Sequence, residues 1–355
     1  MAAFSEGDEA WDRALLAMAV EPHLLQSAAW GRLKSRWGWK VDRFLWAPAP
    51  GTADTAPVAA AQVLSRRLGR LPVTMGYVAK GPLVADRQEA GDWRQPLEDL
   101  ADWARRQGLL YLKMDPDLPR DRQDVAALWQ DLGWRPSTEQ IQFPHTMRST
   151  LQGDEAMLAA MHPKTRYNIG LAGRREVTVR DAGIAGIEAF LALYGATGRR
   201  AGFGLRSAAY YRDLIADFHR RGQGTVLLAE RAGEALAAVV PVTFGATAWY
   251  LYGASGETGR EHMPAFLAQW ESLRWARDRG CRNYDWWGGP DPDDPADGLW
   301  GVARFKAGFG ARFAPQLGAW DLPLRRWTYG LYRRLADWRR RRLADAVSAG
   351  GAASP

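Results

Sequence analysis

The chain has 355 residues, of which 47% are hydrophobic and 25% are charged, and its net charge is +7. This length suits two domains of ordinary size, and this balance is typical of a folded globular protein and excludes a disordered one. The single cysteine, Cys281, excludes an internal disulfide framework and a cysteine-based zinc or iron–sulfur site, and it fits a reducing, cytoplasmic setting. The first twenty residues are acidic and lack the basic segment that begins a secretory signal peptide.

The first part of the chain has the pattern of an α/β unit. Strands are predicted over residues 41–46, 57–64 and 74–78, a helix over about 93–107, and a further strand over 109–114. Gly108 is expected to end the helix as its C-cap.

The same order of elements returns in the second part of the chain. After helices over 162–173 and 187–200 with a strand over 177–180, strands are predicted over 225–230, 235–244 and 248–252, a helix over 264–279 and a strand over 282–287. Residues 103–108 (WARRQG) match residues 275–280 (WARDRG), and each match precedes a strand that contains a tyrosine. Two related α/β units are therefore expected.

The boundary between the units is placed near residue 147. A strand near 316–321 is expected to pair back with the first unit, which would then be discontinuous, comprising 1–147 and about 315–345, with the second unit spanning 148–314. An uncharged run of 22 residues over 235–256 is long enough to cross a bilayer. Because Pro241, Gly245 and Gly253 interrupt it, a buried β-hairpin is predicted instead.

A basic amphipathic helix is predicted over residues 325–345. Eight arginines and two aspartates give this tail a net charge of +6, and leucines and tryptophans recur in it at helical spacing. Such a helix suits an anionic membrane surface or a phosphate backbone. The alternative is a solvated helix docked on its own protein.

The sequence has no metal-binding pattern, and its one candidate cofactor loop stands in the wrong context. The five histidines show no metal-ligand spacing, and the acidic loop 291–298 lacks the glycine and glutamate that an EF-hand needs, so no metal is predicted. Residues 199–204 (RRAGFG) match a pyrophosphate-binding pattern of acetyl-CoA-dependent N-acetyltransferases. That loop should follow a strand, whereas here it follows a helical run.

Three segments combine a cation with glycine or aromatic residues beside a turn. They are QSAAWGRLK (26–34) with WGW (37–39), HPKTRYNI (162–169) and FKAGFG (305–310). Lysine occurs only six times in the chain, against 41 arginines, which draws attention to Lys34, Lys164 and Lys306. Each segment could also be only a helix start or a tight turn.

Together these segments resemble the Fem family, the non-ribosomal peptidyltransferases that build peptidoglycan interpeptide bridges. Segments 77–82 (YVAKGP), 113–116 (KMDP) and 284–288 (YDWWG) extend the resemblance over about residues 24–322. The resemblance implies an α/β fold of two tandem N-acetyltransferase-like (GNAT-like) domains, here without a coiled-coil arm. It also implies transfer of an amino acid from aminoacyl-tRNA to an amine of the stem peptide of a peptidoglycan precursor, with no further cofactor.

The resemblance assigns roles to seven residues. Lys34 and Arg206 would bind the precursor, and Tyr77, Tyr252 and Phe305 would line its site. Lys306 would contact the peptide or stabilise the developing charge. Asp115 would accept a proton, or it would only cap a proline-containing turn.

Aminoacyl transfer from an ester needs positioning, the loss of one proton and stabilisation of an oxyanion, because the acceptor amine is itself the nucleophile. The precursor is either lipid-linked or a UDP-linked muramyl pentapeptide. A cytoplasmic monomer is expected, with contact to the inner face of the plasma membrane as an option. Two other interpretations remain open: an acyl-CoA-dependent N-acyltransferase of the same fold, and a non-enzymatic membrane- or RNA-binding protein.

Overall fold

The structure is a computed structural model, and it describes residues 1–48, 55–69, 71–85, 89–202 and 204–351. Within these residues it is a mixed α/β structure of two sheets with helices packed against them. The helices are α1 Asp8–Leu16, α2 Ala28–Arg36, α3 Arg94–Arg106, α4 Gln123–Asp131, α5 Asp154–Ala160, α6 Pro163–Arg174, α7 Ile187–Ala201, α8 Ala208–Arg220, α9 Pro264–Asp278, α10 Trp300–Gly308 and α11 Arg326–Gly351.

The first sheet has eight strands in the order β1-β2-β3-β4-β6-β15-β7, with β5 paired to β3. Its strands are β1 Ala2–Ala3, β2 Lys40–Trp46, β3 Ala59–Arg67, β4 Thr74–Val78, β5 Leu83–Val84, β6 Tyr111–Met114, β7 Arg135–Pro136 and β15 Trp320–Pro323. The last strand of the chain thus lies between β6 and β7, antiparallel to both. The pairing expected near residues 316–321 is found a few residues later, while the domain boundaries themselves stay a prediction.

The second sheet has seven strands in the order β14-β8-β13-β12-β11-β10-β9. Its strands are β8 His145–Thr150, β9 Thr178–Asp181, β10 Leu227–Arg231, β11 Glu234–Phe244, β12 Thr247–Ser255, β13 Asn283–Gly288 and β14 Arg312–Pro315. Strands β11 and β12 form the antiparallel hairpin expected for the uncharged run. None of the described helices combines the length and the hydropathy that a bilayer-spanning segment requires.

Each sheet contains one parallel pair joined by a helix. Strands β4 and β6 are parallel across α3, and β12 and β13 are parallel across α9. The repeated sequence forms the end of each helix: Trp103 and Trp275 are buried, and Gly108 and Gly280 take positive φ angles of 67° and 80° just past the helix ends. Glycine tolerates this left-handed conformation, which reverses the chain into the next strand.

In both sheets the pairing of the two parallel strands stops after a few residues. Pairing of β12 with β13 ends at Trp249 and Asp285, and pairing of β4 with β6 ends at Val78 and Met114. Asp115 comes directly after the last paired residue of β6, and Tyr252 and Trp287 follow the end of the β12–β13 pairing within a few positions.

Candidate functional site

A cleft of about 450 Å³ lies between the two sheets and takes its walls from both halves of the chain. The first half contributes residues of α2, β3, β4 and β6, and the second half contributes residues of α7, α8 and β12. Four of the predicted residues line it: Lys34, Tyr77, Arg206 and Tyr252. Residues that lie up to 218 positions apart in sequence therefore share one surface.

The back of the cleft is the contact between α2 and α8. Ser27 begins α2 as its N-cap, and its hydroxyl accepts a hydrogen bond from the backbone N–H of Trp30. One turn later Lys34 reaches across to α8 and donates to the hydroxyl of Tyr210 at 3.2 Å. The ion pair of Arg36 with Asp217 joins the same two helices. Helix α2 thereby holds Lys34 at the boundary between the halves.

Lys34 is a buried basic residue, and no described carboxylate lies within ion-pair distance of it. Its side chain is 8% exposed, and its ammonium lies 4.4 Å from the ring centre of Trp30. Burial, together with the nearby charges of Arg206 and Arg66, lowers the pKa of Lys34 to about 7. Desolvation and the neighbouring positive charges both disfavour the ammonium form of Lys34. An anion that enters the cleft would stabilise the ammonium and so offset both effects.

Two arginines extend this positive surface. The guanidinium of Arg206 lies 4.8 Å from the ring centre of Tyr210, and that of Arg66 lies 4.2 Å from the ring centre of Trp39. Among the described residues, neither these arginines nor Lys34 has a carboxylate within ion-pair distance. The acidic residue among the cleft-lining side chains, Glu139, is 3.2 Å from Arg333.

Aromatic residues supply the rest of the wall. Tyr252 packs edge-on against Tyr211 with ring centres 5.3 Å apart, and Tyr194 packs against both. Burial raises the pKa of Tyr252 well above its usual value, so its hydroxyl is a neutral hydrogen-bonding group. The cleft therefore combines flat apolar faces with cations, as expected of a site for an anionic ligand that also has apolar or ring portions.

Asp115 lies behind the cleft, not in it. It is 2% exposed, and it accepts hydrogen bonds from the Tyr77 hydroxyl and the Lys80 backbone N–H, both at 2.6 Å. Burial raises the pKa of Asp115, although these donors and the charges of Lys80 and Lys113 act in the opposite direction. Tyr77 lines the cleft, so its hydroxyl connects the hidden carboxyl group to the ligand space.

Lys306 likewise lies behind the wall. Its ammonium donates to the carbonyl oxygens of Gly288 at 2.5 Å and Trp287 at 3.2 Å, and burial lowers its pKa to about 8. Trp287 lines the cleft and has a φ of 57°, which is unfavourable for a residue with a side chain. Asp285 accepts a hydrogen bond from the Trp287 N–H at 2.8 Å, so Asp285 and Lys306 together hold this turn.

Phe305 is not among the cleft-lining residues. Its ring packs against Phe266 and Phe309, with ring centres 5.1 and 5.2 Å away, in the apolar cluster beside the second sheet. A substrate-binding role for Phe305 stays a prediction. The sequence, in turn, did not single out Arg66, Trp287 or Tyr332 as site residues, although all three line the cleft.

The RRAGFG pattern spans residues 199–204, of which Phe203 lies outside the described residues, and its first four residues belong to a helix end. Arg199 and Arg200 lie in the last turn of α7, and Gly202 ends that helix with a φ of 69°. A helix C-terminus presents carbonyl groups and partial negative charge, which is the wrong end for a pyrophosphate. The described residues 199–202 therefore lie at the wrong end of a helix for the coenzyme A ligand that the pattern suggested.

The model described as the FemAB family matches residues 120–232 and 225–337, which together exceed half of the chain. The chain belongs to the FemAB family. The predicted relationship to Fem proteins is therefore confirmed.

Curated relatives of this FemAB protein include lipid II:glycine glycyltransferases of two staphylococci. The protein of Staphylococcus haemolyticus is 24% identical over 384 residues, covering 87% of this chain and 90% of that one. The protein of Staphylococcus aureus strain USA300 is 24% identical over 386 residues, with the same coverage.

Solved structures confirm the predicted fold class. The crystal structure of FemX superposes with a TM-score of 0.83 at 21% identity, covering 93% of this chain and 99% of that one. A tandem GNAT protein from the clavulanic acid biosynthesis pathway gives a TM-score of 0.53 at 16% identity, covering 91% and 97%. The FemAB protein is thus a tandem GNAT-like α/β structure, and no coiled-coil arm occurs within its described ranges.

Proposed function

We propose that this protein transfers an amino acid from aminoacyl-tRNA to the side-chain amine of the stem peptide in a peptidoglycan precursor. It is an acyltransferase of the aminoacyltransferase type, in keeping with its family and with relatives named as glycyltransferases. The observation that carries the proposal is the inter-sheet cleft, where Lys34, Arg66 and Arg206 face the ligand space without carboxylate partners among the described residues.

The cleft fits a precursor that carries phosphates and carboxylates. Hydrogen bonds from cations to such anions are stronger than neutral ones, and arginine can bind them in a bidentate manner. Since Lys34 is already desolvated, its interaction with an anion is less screened than a surface contact would be. We assign Lys34, Arg66 and Arg206 to the anionic part of the precursor. The cleft-lining tyrosines Tyr194, Tyr210 and Tyr252 would contact its uncharged parts.

The reaction needs one proton removed from the acceptor. The amine attacks the ester carbonyl of the aminoacyl-tRNA, the amide bond forms, the ester C–O bond breaks, and the ribose oxygen takes up a proton. We propose that Tyr77 accepts the amine proton at its hydroxyl oxygen while passing its own proton to Asp115, 2.6 Å away, and that the pair then returns a proton to the leaving ribose oxygen. The raised pKa of Asp115 favours the proton's arrival.

We assign Lys306 to the support of the turn at Trp287. Its ammonium binds two consecutive backbone carbonyls and so fixes the Trp287 ring in the cleft wall. A direct contact between Lys306 and the peptide would need the turn to move. Lys306 is therefore a positioning residue in this proposal.

We propose a lipid-linked precursor as acceptor, because the staphylococcal relatives are named for lipid II. The protein would then work as a monomer in the cytoplasm, in peripheral contact with the inner face of the plasma membrane. An acyl-CoA-dependent reaction is the second candidate on this fold, but no observation at the cleft favours it.

The test is reconstitution with a mixed pool of charged tRNAs and the precursor, offered in lipid-linked and in UDP-linked form, followed by mass spectrometry. The proposal predicts a precursor whose mass increases by one amino-acid residue, and treating the tRNA pool with ribonuclease before the reaction should prevent its formation. At limiting precursor Lys34→Met should form much less product, whereas Lys40→Met, which replaces an exposed lysine on β2, should match the wild type. A product formed from acyl-CoA without tRNA, or no product with either precursor, would contradict the proposal.

A further inference from the structure

The C-terminal helix α11 has two faces with different environments. One face is docked on the first sheet: the Tyr329 hydroxyl donates to Asp321 at 2.7 Å, and the Tyr332 ring stacks on Tyr111 with centres 5.7 Å apart. Arg333 adds the ion pair with Glu139. These contacts fix the orientation of the helix up to at least Arg333.

The opposite face carries large apolar side chains in solvent. Trp327 is 94% exposed, Leu331 60%, Leu335 46% and Trp338 51%. Their spacing of four, four and three residues places all four on one stripe along three helical turns. Other exposed large apolar residues of the described chain, such as Ile184 and Leu71, belong to separate elements or loops.

Arginines accompany this stripe. By helical spacing, Arg334 and Arg342 lie on the same side as the tryptophans, and the Arg342 guanidinium lies 4.3 Å from the ring centre of Trp338. The sequence from 325 onward carries eight arginines against two aspartates. A stripe of tryptophan and leucine bordered by arginine matches the headgroup region of an anionic bilayer, where rings enter the interface and cations meet phosphates.

The helix also borders the cleft. Tyr332, on the docked face, is one of the cleft-lining residues, and Glu139 connects the cleft wall to Arg333. A surface bound to the outer face of α11 would therefore lie one helix diameter, about 10 Å, from this part of the cleft wall.

We propose that the outer face of α11, defined by Trp327, Leu331, Leu335 and Trp338 with Arg334 and Arg342, binds the surface of an anionic lipid bilayer. This contact lays the helix in the interface and holds the cleft close to lipid-linked molecules. The bilayer contact stands on the helix alone, and only its benefit for the substrate rests on the proposed function.

The test is co-sedimentation of the full chain with vesicles of phosphatidylglycerol and phosphatidylethanolamine, compared with vesicles of phosphatidylcholine alone. Replacing the four apolar residues by serine should weaken binding to the anionic vesicles by about tenfold or more, because the interfacial area and anchoring rings are lost. Arg334→Gln with Arg342→Gln should weaken binding and reduce its salt dependence. The matched control, Ile184→Ser with Leu71→Ser, removes exposed apolar residues elsewhere and should bind like the wild type.

Four results would overturn the inference. The first is that wild type fails to bind anionic vesicles, and the second is that the stripe variant, in which the four apolar residues are replaced by serine, binds them equally well. The third is that the stripe variant loses tRNA binding but keeps vesicle binding. The fourth is that the wild type is a dimer in solution whereas the stripe variant is a monomer. The stripe variant keeps Tyr329, Tyr332 and Arg333, so circular dichroism and thermal unfolding should match the wild type.

The consequence for catalysis is measured separately. With lipid-linked precursor in anionic vesicles the stripe variant should be slower by about tenfold, in line with its lost membrane affinity. With a water-soluble precursor it should match the wild type. If neither protein makes product from any precursor while the stripe variant still loses vesicle binding, the proposed function fails and the membrane contact stands.

Discussion

Tyr77 donates a hydrogen bond of 2.6 Å to Asp115, and this pair connects a fully enclosed carboxyl group to the cleft. The two residues are 38 positions apart in sequence. They meet because β4 and β6 run parallel, with Tyr77 opposite Lys113 and Asp115 just beyond the end of β6. The pair gives the proposed reaction a proton path that does not require the carboxylate to touch the substrate.

Tyr77→Phe should therefore reduce kcat by about 100-fold or more, the usual range for loss of a positioned acid–base group. The Tyr77 hydrogen bond lowers the pKa of Asp115, so its removal should raise that pKa further. The acidic limb of the kcat profile should then move to higher pH. Tyr284→Phe removes a comparably buried hydroxyl from β13 and serves as the control. An unshifted acidic limb with wild-type kcat would remove the pair from the mechanism.

Precursor affinity should depend on the charge of Lys34. Its pKa is about 7 in the free protein, and a bound anion favours the ammonium, so binding near neutral pH should take up a proton. Affinity should fall as pH rises above about 7, by up to about tenfold per pH unit. Calorimetric titration in buffers of different ionisation enthalpy measures this uptake. Lys34→Met should bind the precursor weakly and without taking up a proton. If that variant takes up as many protons on binding as the wild type does, the uptake belongs to a group other than Lys34.

Lys34 should also lower the stability of the free protein. Its pKa is near 7 when folded and 10.5 when unfolded, so the unfolded chain holds more protons between these values and stability rises with pH there. The penalty is complete below about pH 7. Lys34→Met should accordingly raise the free energy of unfolding by about 0.5–2 kcal/mol at about pH 6, and by less at about pH 9. Denaturant titrations at both pH values test this, and a destabilised variant at the lower pH would contradict it.

Lys306→Met should lower kcat and destabilise the protein. It leaves the buried carbonyls of Trp287 and Gly288 without their donor, at a cost of about 1–3 kcal/mol. Because the pKa of Lys306 is about 8, activity that depends on its ammonium should decline above that pH. This basic limb should be absent in Lys306→Met and retained in Lys164→Met, which replaces an exposed lysine at the start of α6. A basic limb identical in all three proteins would show that Lys306 titration is irrelevant to turnover.

The sequence predicted some of the periodic elements, among them α3, α6, α7 and α9, because their signals are local. The α3 and α9 helices, with their glycine ends, and the β11–β12 hairpin follow from patterns of ten to fifteen residues. The return of the chain to the first sheet was expected a few residues too early, since Gln316 makes an isolated bridge to Pro119 before the strand begins at Trp320.

The site was only partly predictable. Lys34 and Arg206 could be named from motifs, but their meeting depends on how α2 packs against α8. Arg66 and Arg67 are the exposed last residues of an otherwise buried strand, and such a pair of arginines is only a weak sequence signal of a binding site. The carbonyl contacts of Lys306 depend on the positive φ of Trp287, which no residue pattern specifies.

We expect Lys34, Arg66 and Arg206, which have no described carboxylate partner, to hold an anionic precursor, and an equilibrium titration measures this binding. Purified precursor should be titrated into wild type, the Lys34→Met, Arg206→Met double variant and the Lys40→Met control, at low and at high salt. Wild type and control should bind the precursor with an affinity that falls as salt rises. The double variant should lose about 100-fold or more in affinity, since charge-assisted contacts contribute about 1.5–3 kcal/mol each. Equal affinity for the precursor in wild type and double variant would show that these cations do not hold it.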